Sequence, residues 1–372
     1  VATVTNPKGH VTTIDAYDAN GRPLRVTDPN GLVTTMSYHP RGWLTSRTVG
    51  GEPTSYTYDG MGQLTQVTLP DGSMLTYTYD AAHRLTQVAD GVGNRIAYAL
   101  DAMGNRIRED VYDPANQLAR TRGRAFDPLN RLAADLGAQA QSTSYLYDNN
   151  GNRTRTTDPL AQVTHSAYDA LDRLLTVLDP AGGTTTYRYD AGGNLASVTD
   201  PRNLTTTYTY DGLGNQVKQA SPDTGTTIRT FDAAGNVRAS LDARGVTATT
   251  TYDVLSRATR VVYSKTGATS ETHNFEYDGG TAGAPNAKGR LTKLTDPAAT
   301  TNWTYTPHGR VSSAAQKVGT LTQKVSYGYT AAGQRTSVTT PSGQVVGFSY
   351  LNNRVARITV NGFVQIATAA KM

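Results

Sequence analysis

The sequence predicts an all-β fold: a long antiparallel meander of β-hairpins, coiled into a spiral or ring-like hollow shell segment. Three observations carry that expectation. An aromatic-Asp pair returns every 21 residues, at Tyr147-Asp148, Tyr168-Asp169, Tyr189-Asp190, Tyr210-Asp211, Phe231-Asp232 and Tyr252-Asp253. A second turn signal falls between the pairs, at Asp158-Pro159, Asp179-Pro180 and Asp200-Pro201. The composition is rich in Thr, Gly, Asp, Asn, Arg and Tyr, with 37% hydrophobic residues. Such a mixture suits pleated strands and tight turns, and a fixed period of this length marks a repeat architecture.

A period overrides the usual expectation of several globular domains, because stacked repeats form one quasi-one-dimensional body. Residues 1–372 are therefore expected to be a single array. Its 21-residue period is regular over about 17–100, including Tyr58-Asp59 and Tyr79-Asp80, and again over 126–252. Residues 100–126 are irregular, with aromatic steps of 12 and 14 residues around Tyr112. They are expected to lose the Asp-Pro hairpin and keep shortened strands. From 252 to 350 the spacing loosens, with insertions expected at Ser264–Ala268 and Gly279–Asn286, before a terminal hairpin at 355–366 and a short tail, Ala367–Met372.

Each unit divides into two strands and two turns. The residue four places after the aromatic is usually Gly or Asn, as at Gly151, Gly193, Gly214 and Gly235, which suits the positive φ of a tight reversal. The Asp beside the aromatic can accept backbone N–H bonds within its own turn, and Asp28-Pro29-Asn30-Gly31 fits a type I turn. Tyr56-Thr57-Tyr58 and Tyr187-Arg188-Tyr189 place both tyrosines on one face. The outgoing strands carry Leu64 and Val67, or Leu195 and Val198, three apart and so expected on opposite faces. A helical reading fails because Pro or Gly interrupts about every ten residues.

Seventeen periods of two strands spaced ~4.8 Å make a ribbon roughly 160 Å long and ~20 Å wide. Twist prevents so long a sheet from lying flat. Closed as one ring it would measure about 50 Å across and stand one strand tall. That is part of a wall rather than a complete container.

Other classes are disfavoured. No run approaches the ~18 apolar residues of a membrane span. The absence of cysteine excludes disulfides and thiolate metal sites. The net charge of +5 comes from dispersed arginines, which read as a solvated strand face rather than a nucleic-acid footprint. No signal peptide is visible, and Val1–Thr5 already reads as a strand, so the chain is expected to begin inside a repeat of something longer.

No residue is assigned to catalysis, cofactor binding or metal binding. The histidines His10, His39, His83, His165, His273 and His308 show no ligand spacing. The recurring aspartates are too repetitive for one acid–base constellation and read as turn formers. Asp148-Asn149-Asn150-Gly151-Asn152 lacks the terminal Glu of a calcium loop. The tyrosines either pack one face of the sheet or, if exposed, stack on sugars.

The pattern Y-D-x-x-G-[NR]-L, seen in Tyr79-Asp80-Ala81-Ala82-His83-Arg84-Leu85, Tyr189-Asp190-Ala191-Gly192-Gly193-Asn194-Leu195 and Tyr210-Asp211-Gly212-Leu213-Gly214-Asn215, is similar to the RHS/YD-repeat family. Members include bacterial polymorphic toxins, cocoon subunits of insecticidal toxin complexes and teneurins. The resemblance implies a spiralling β-sheet shell, in the toxin branch a shell that sequesters a toxic C-terminal polypeptide. It also implies a secreted or delivered bacterial effector, with a cargo polypeptide or further repeat segments as partners. An extracellular module that binds glycan or protein through Tyr/Arg rows is the alternative. In the toxin branch the shell ends in D-P-x-G-L-x-x-G-x-N-x-Y, associated with self-cleavage. Asp28-Pro29-Asn30-Gly31-Leu32 matches only the first half, and the sequence after the terminal hairpin leaves no room for a toxin domain. Self-cleavage and toxicity are therefore not expected of this chain.

Overall fold

The computed structural model describes residues 1–139, 141–280, 283–351 and 354–367. Thirty-four strands, from Ala2–Thr5 to Phe363–Ala367, form one antiparallel sheet, each strand pairing with the next in sequence. The sheet is all-β and does not close on itself. Within the regular part of the array one unit is two strands of five to seven residues, such as Glu52–Tyr58 and Leu64–Thr68. Thr281 and Ala282, inside one expected insertion, and 368–372 of the expected tail lie outside the described residues.

The turns alternate between the two long edges of the ribbon. One edge carries the Tyr-Asp turns, such as Asp59–Gln63, and the other carries the Asp-Pro turns, such as Asp158–Gln162. The irregular stretch departs from its sequence reading. It keeps its Asp-Pro hairpin, because Asp113-Pro114-Ala115-Asn116 is that turn, closed by Asp113 N–H to the Gln117 carbonyl. Its strands, Arg106–Tyr112 and Leu118–Phe126, have seven and nine residues, against five and six in a regular unit such as Leu64–Thr68 and Met74–Tyr79. Tyr112-Asp113 therefore sits on the Asp-Pro edge, and added strand length accounts for the odd spacing.

The expectation that Leu64 and Val67 face opposite ways is also overturned. Tyr56 pairs with Val67 and Thr57 with Gln66, but Tyr58 pairs with Leu64, so Thr65 is an extra residue in a β-bulge. Directly opposed residues share a face, so the bulge brings Leu64 and Val67 onto the tyrosine side. The same shift recurs at Tyr79/Leu85, Tyr189/Leu195 and Tyr210/Gln216. One face thus gathers Tyr, Leu and Val, mostly half-buried, while the other presents exposed Thr57, Thr76 and Thr78. Along Arg106–Leu136 the tyrosine face turns charged, where Glu109 opposes Arg122 and Arg124 opposes Asp135.

Among the described residues no second layer covers either face. Extensive contacts run only between strands adjacent in sequence, and Val67 and Ala287 are the only buried hydrophobic residues among those described. The accessible surface is 21981 Å², against about 14,000 Å² for a compact protein of this mass.

The ribbon winds past one full lap and then overlaps itself. The third turn of the chain, at Asn30, meets the twenty-sixth at Lys288, and the fifth, beside Glu52, meets the twenty-eighth at His308 and Arg310. One lap therefore takes twenty-three strands, a circumference of roughly 110 Å and a diameter of about 35 Å at the usual strand spacing. The ring of about 50 Å is thus corrected to a narrower spiral, because the curvature brings the ends past each other before thirty-four strands are spent.

Because neighbouring hairpins carry almost all contacts, deleting the whole unit 168–188 should retain more soluble, cooperatively melting protein than deleting ten residues inside it. Expression yield and circular dichroism melting of the two deletions test this, and equal loss from both would contradict a modular strip.

Candidate functional site

The groups that recur are those that fix the hairpin ends. In the regular Tyr-Asp turns the Asp N–H donates to the carbonyl four residues on, and the N–H of the third residue after Asp donates back to the Asp carbonyl, as between Asp59 and Gln63 and between Gly62 and Asp59; at Asp278 the inserted loop moves the acceptor to Arg290. The Asp side chain completes the turn. Oδ1 of Asp59 accepts the N–H groups of Met61 and Gln63, both at 2.9 Å. Asp80, Asp148, Asp169, Asp211, Asp232 and Asp253 accept the matching pairs, and Asp190 accepts from Asn194. For Asp148 this is an Asx turn, with its carboxylate committed to Asn150 and Asn152. Three-residue loops of this kind need a residue at positive φ. Gly151, Gly193, Gly214 and Gly235 supply it at φ 94, 84, 80 and 82, and His83 and Asp172 adopt it at 63 and 59.

The tyrosines tie one unit to the one before. The hydroxyls of Tyr58, Tyr79, Tyr147, Tyr189 and Tyr252 donate to the carbonyls of Leu44, Leu64, Leu132, Leu174 and Val237 at 2.8–2.9 Å, and Tyr168 donates to Arg153 at 3.1 Å. Tyr210 occupies the same place, its hydroxyl pushed up by burial and by Tyr208. Phe231 keeps the ring without the hydroxyl.

Their dispersal along the sequence predicts that the arginines lie on a solvated strand face. Arg155 and Arg188 do lie exposed on strands, but the arginine five residues after the aromatic has another place. Arg173 bonds Asp169 through Nε at 2.8 Å and lays its guanidinium 4.5 Å from the centre of the Tyr189 ring. Arg131 does the same between Asp127 and Tyr147, and Arg257 between Asp253 and Tyr277. Where Asn stands instead, as at Asn152, Asn215 and Asn236, its amide donates to the same carboxylate. The constant spacing from the tyrosine was the signal available for this role. The side-chain bonds to Arg173 and Asn194 are the foremost causes that hold Asp169 and Asp190 below the usual carboxylate range.

At the seam the Asp-Pro edge of the first lap meets the Tyr-Asp edge of the second. Lys8 Nζ reaches Asp253 at 3.3 Å and Asp278 at 3.2 Å, while Arg257 bridges the same two carboxylates at 2.6 and 2.7 Å. His10 Nε2 lies 3.7 Å from Asp278. Asn30 exchanges two hydrogen bonds with the Lys288 backbone. His308 lies 3.1 Å from the Val49 carbonyl, and Glu52 accepts from Arg310. These partners stand about 250 residues apart, and no motif in the sequence links them. Of the other histidines, His39 stacks on Trp43, His83 bonds Gln63 and His273 packs edge-on against Tyr263. His165 lies in a shallow groove beside Leu146 and Leu178. Among the described residues no group of three His, Asp or Glu side chains is placed to hold a metal ion.

An open single-layer sheet wound on itself with two distinct hairpin edges defines a wall-building repeat protein. The family model of the RHS repeat matches residues 17–52, 48–74, 58–95, 79–110, 168–205 and 193–226 of this sheet. Among solved structures the chain is similar to TcdB2-TccC3, with a TM-score of 0.77 and 17% identity over 96% of this chain and 24% of that one. It is similar to TcdB2-TccC3 without its hypervariable C-terminal region, with a TM-score of 0.55 and 15% identity over 96% and 29%. The Photorhabdus luminescens Tc holotoxin pore gives 0.52 and 15% over 95% and 23%. The chain therefore spans about a quarter of the length of these structures, and the likeness establishes the fold. No curated protein matches the sequence.

Replacing Gly193 or Gly214 with Val should cost about 1–3 kcal/mol, because a β-branched residue is strained at that φ. No neighbour lies closer than 3.9 Å to the added Cβ at either glycine, so an unchanged melting curve would refute backbone strain as the reason for glycine. A second expectation concerns acid. Burial pushes the Asp278 carboxyl up, but the Arg257 guanidinium, the Gly289 N–H and the Lys8 ammonium outweigh it and hold it at about 2. Its contribution is fully present above the unfolded value of about 3.9 and is lost as pH falls towards about 2. Asp278→Asn should flatten the fall of unfolding free energy across that window, measured by denaturant titration at each pH, and an unaltered slope would count against the seam pair.

Proposed function

We propose that the chain is a segment of the shell wall of an RHS-type bacterial toxin complex, and that its work is to help enclose a cargo polypeptide rather than to catalyse a reaction. The observation that carries this reading is the wall itself: a one-layer sheet with almost no buried core, curved through more than a lap. Hydrogen bonds and hydrophobic burial go into the strip and its edges, and among the described residues no packed centre fills the space it surrounds. Likeness of fold to TcdB2-TccC3 supports the same reading.

In this reading residues 1–372 act as one array, and the repeated Tyr, Asp and Gly residues, together with Phe231, serve its architecture. The partners are a toxin polypeptide inside and further repeat strips along the edges. The whole protein would be secreted or delivered from a bacterium. No helix among the described residues is long and apolar enough to cross a membrane. Confinement would act by steric exclusion, with the charged patch of Glu109, Arg122, Arg124 and Asp135 available to hold a polar segment of the cargo. Recognition of glycan by the tyrosines fits less well, since Arg guanidinium groups already lie over the rings of Tyr38, Tyr147 and Tyr189.

Limited proteolysis of the full-length native gene product, followed by mass spectrometry, tests enclosure. A fragment that stays protected while the shell is intact, and is cut once the shell is denatured, is the expected result. Cleavage of all non-shell sequence at the same rate before and after denaturation would remove the proposal.

A further inference from the structure

The strands from Arg153–Thr157 to Ala258–Ser264 contain no Asp or Glu. Every acid of that stretch stands at a hairpin end. The strand cations divide between the two faces. Arg153 and Arg229 lie on the tyrosine side, Arg153 over the Tyr145 ring. Arg155, Arg188, Lys218 and Arg260 lie on the other side, opposite Leu146, Ser197, Thr209 and Thr251, and all four are exposed. Arg238, at the bulge of its strand, interacts with Asp232. Elsewhere on the threonine side Arg25 is answered by Asp15 at 3.3 Å, Arg108 by Asp110 at 2.7 Å and Lys293 by Glu276 at 2.8 Å. Among the described residues no carboxylate answers Arg155, Arg188, Lys218 or Arg260. Exposed aliphatic side chains lie beside them. Leu146 and Leu178 wall a shallow groove with Arg155 and His165, and Ile228 stands opposite Lys218.

We infer that the threonine side of residues 153–264 is a docking surface for an acidic polypeptide that also carries apolar side chains. Charge complementarity names the carboxylates, since four exposed cations of one face have no partner in the chain. Their spacing favours a polypeptide over other polyanions. The four stand three, three and four strands apart, roughly 14–19 Å at the usual strand spacing. An extended chain covers that span in about four to six residues. Carboxylates at such intervals leave the intervening side chains to meet Leu146, Leu178 and Ile228. Duplex nucleic acid carries a charge about every 1.7 Å, so most of its phosphates would find no cation here. It also has no apolar side chains to set against the groove beside His165. Exposed ion pairs are worth little singly, so the hold is spread along the face and weakens with salt. The inference concerns this face and does not depend on what the wall encloses.

The test is fluorescence anisotropy of a labelled peptide with Glu at about every fifth position and Leu, Ser and Gly between, titrated with the 1–372 polypeptide. Saturable binding that weakens as salt is raised is expected. The quadruple variant Arg155→Gln, Arg188→Gln, Lys218→Gln, Arg260→Gln should bind at least about tenfold more weakly. The pair Arg188→Gln, Lys218→Gln should weaken binding about threefold, whereas Arg153→Gln, Arg229→Gln, which removes the same charge from the tyrosine side, should leave it unchanged. A peptide with Ser in place of every Leu should bind more weakly than its parent. Circular dichroism checks that each variant keeps its fold. Absence of binding overturns the inference, and equal weakening by the two pairs does so by reducing the effect to net charge. Tighter binding of heparin or of phosphatidylglycerol vesicles than of the peptide, or indifference to the loss of Leu, overturns the choice of a polypeptide. These outcomes bear on the threonine side alone, since enclosure of cargo is decided by the proteolysis of the full-length product.

Discussion

The carboxylate of the turn aspartate, accepting two N–H groups of its own loop, is the interaction on which this structure depends. A globular protein can tolerate a loose hairpin end because a second layer pins the strands. Here, among the described residues, nothing lies above or below the sheet, so each reversal must be fixed where it occurs. Asp Oδ1 does this at about 2.9 Å from both donors, turn after turn, and sets the loop length to three residues. That loop then forces a left-handed residue and hands the outgoing strand a bulge. The bulge in turn brings Leu64 and Val67 round to the tyrosine face. A local choice of turn chemistry thereby decides the two-faced character of the whole ribbon.

Cohesion between units follows from the same turn. The second carboxylate oxygen holds the Arg or Asn five residues after the aromatic, and the arginines reach onward to the next tyrosine ring. The tyrosine hydroxyl reaches back to the preceding unit. Each repeat is thus bound forward through a cation on an aromatic face and backward through a hydrogen bond. Stability is a chain of neighbour terms instead of a shared interior. This accounts for an accessible surface about half as large again as a compact protein would show.

Much of the strip was legible in the sequence, because its determinants are local. The spacing of Tyr189-Asp190 from Tyr210-Asp211 and the Asp-Pro signals between them expose both turns and both strands. Leu64 and Val67 were misassigned because strict alternation has no place for a bulge, and nothing in Leu64-Thr65-Gln66-Val67 marks Thr65 as the extra residue. Tyr112-Asp113 was misplaced because a motif of one edge stands on the other, where Pro114 was the better guide. The radius of the coil was beyond sequence reasoning, since it accumulates from small twists over many strands. The seam was equally hidden: Lys8 and Asp253, or Glu52 and Arg310, share no motif and meet only because the curvature brings them together.

The overlap of laps also fixes an order of events during synthesis. Hairpin pairing links residues a short distance apart, so the strip can zip up as chain emerges, with little loop-closure entropy to overcome. The latch between Lys8 and Asp253 cannot form until Asp253 has been made, roughly 12–50 s after Lys8 at ordinary translation rates. Until then these strands are held by pairing between neighbouring hairpins. The lumen comes into being only as its own boundary is being sewn.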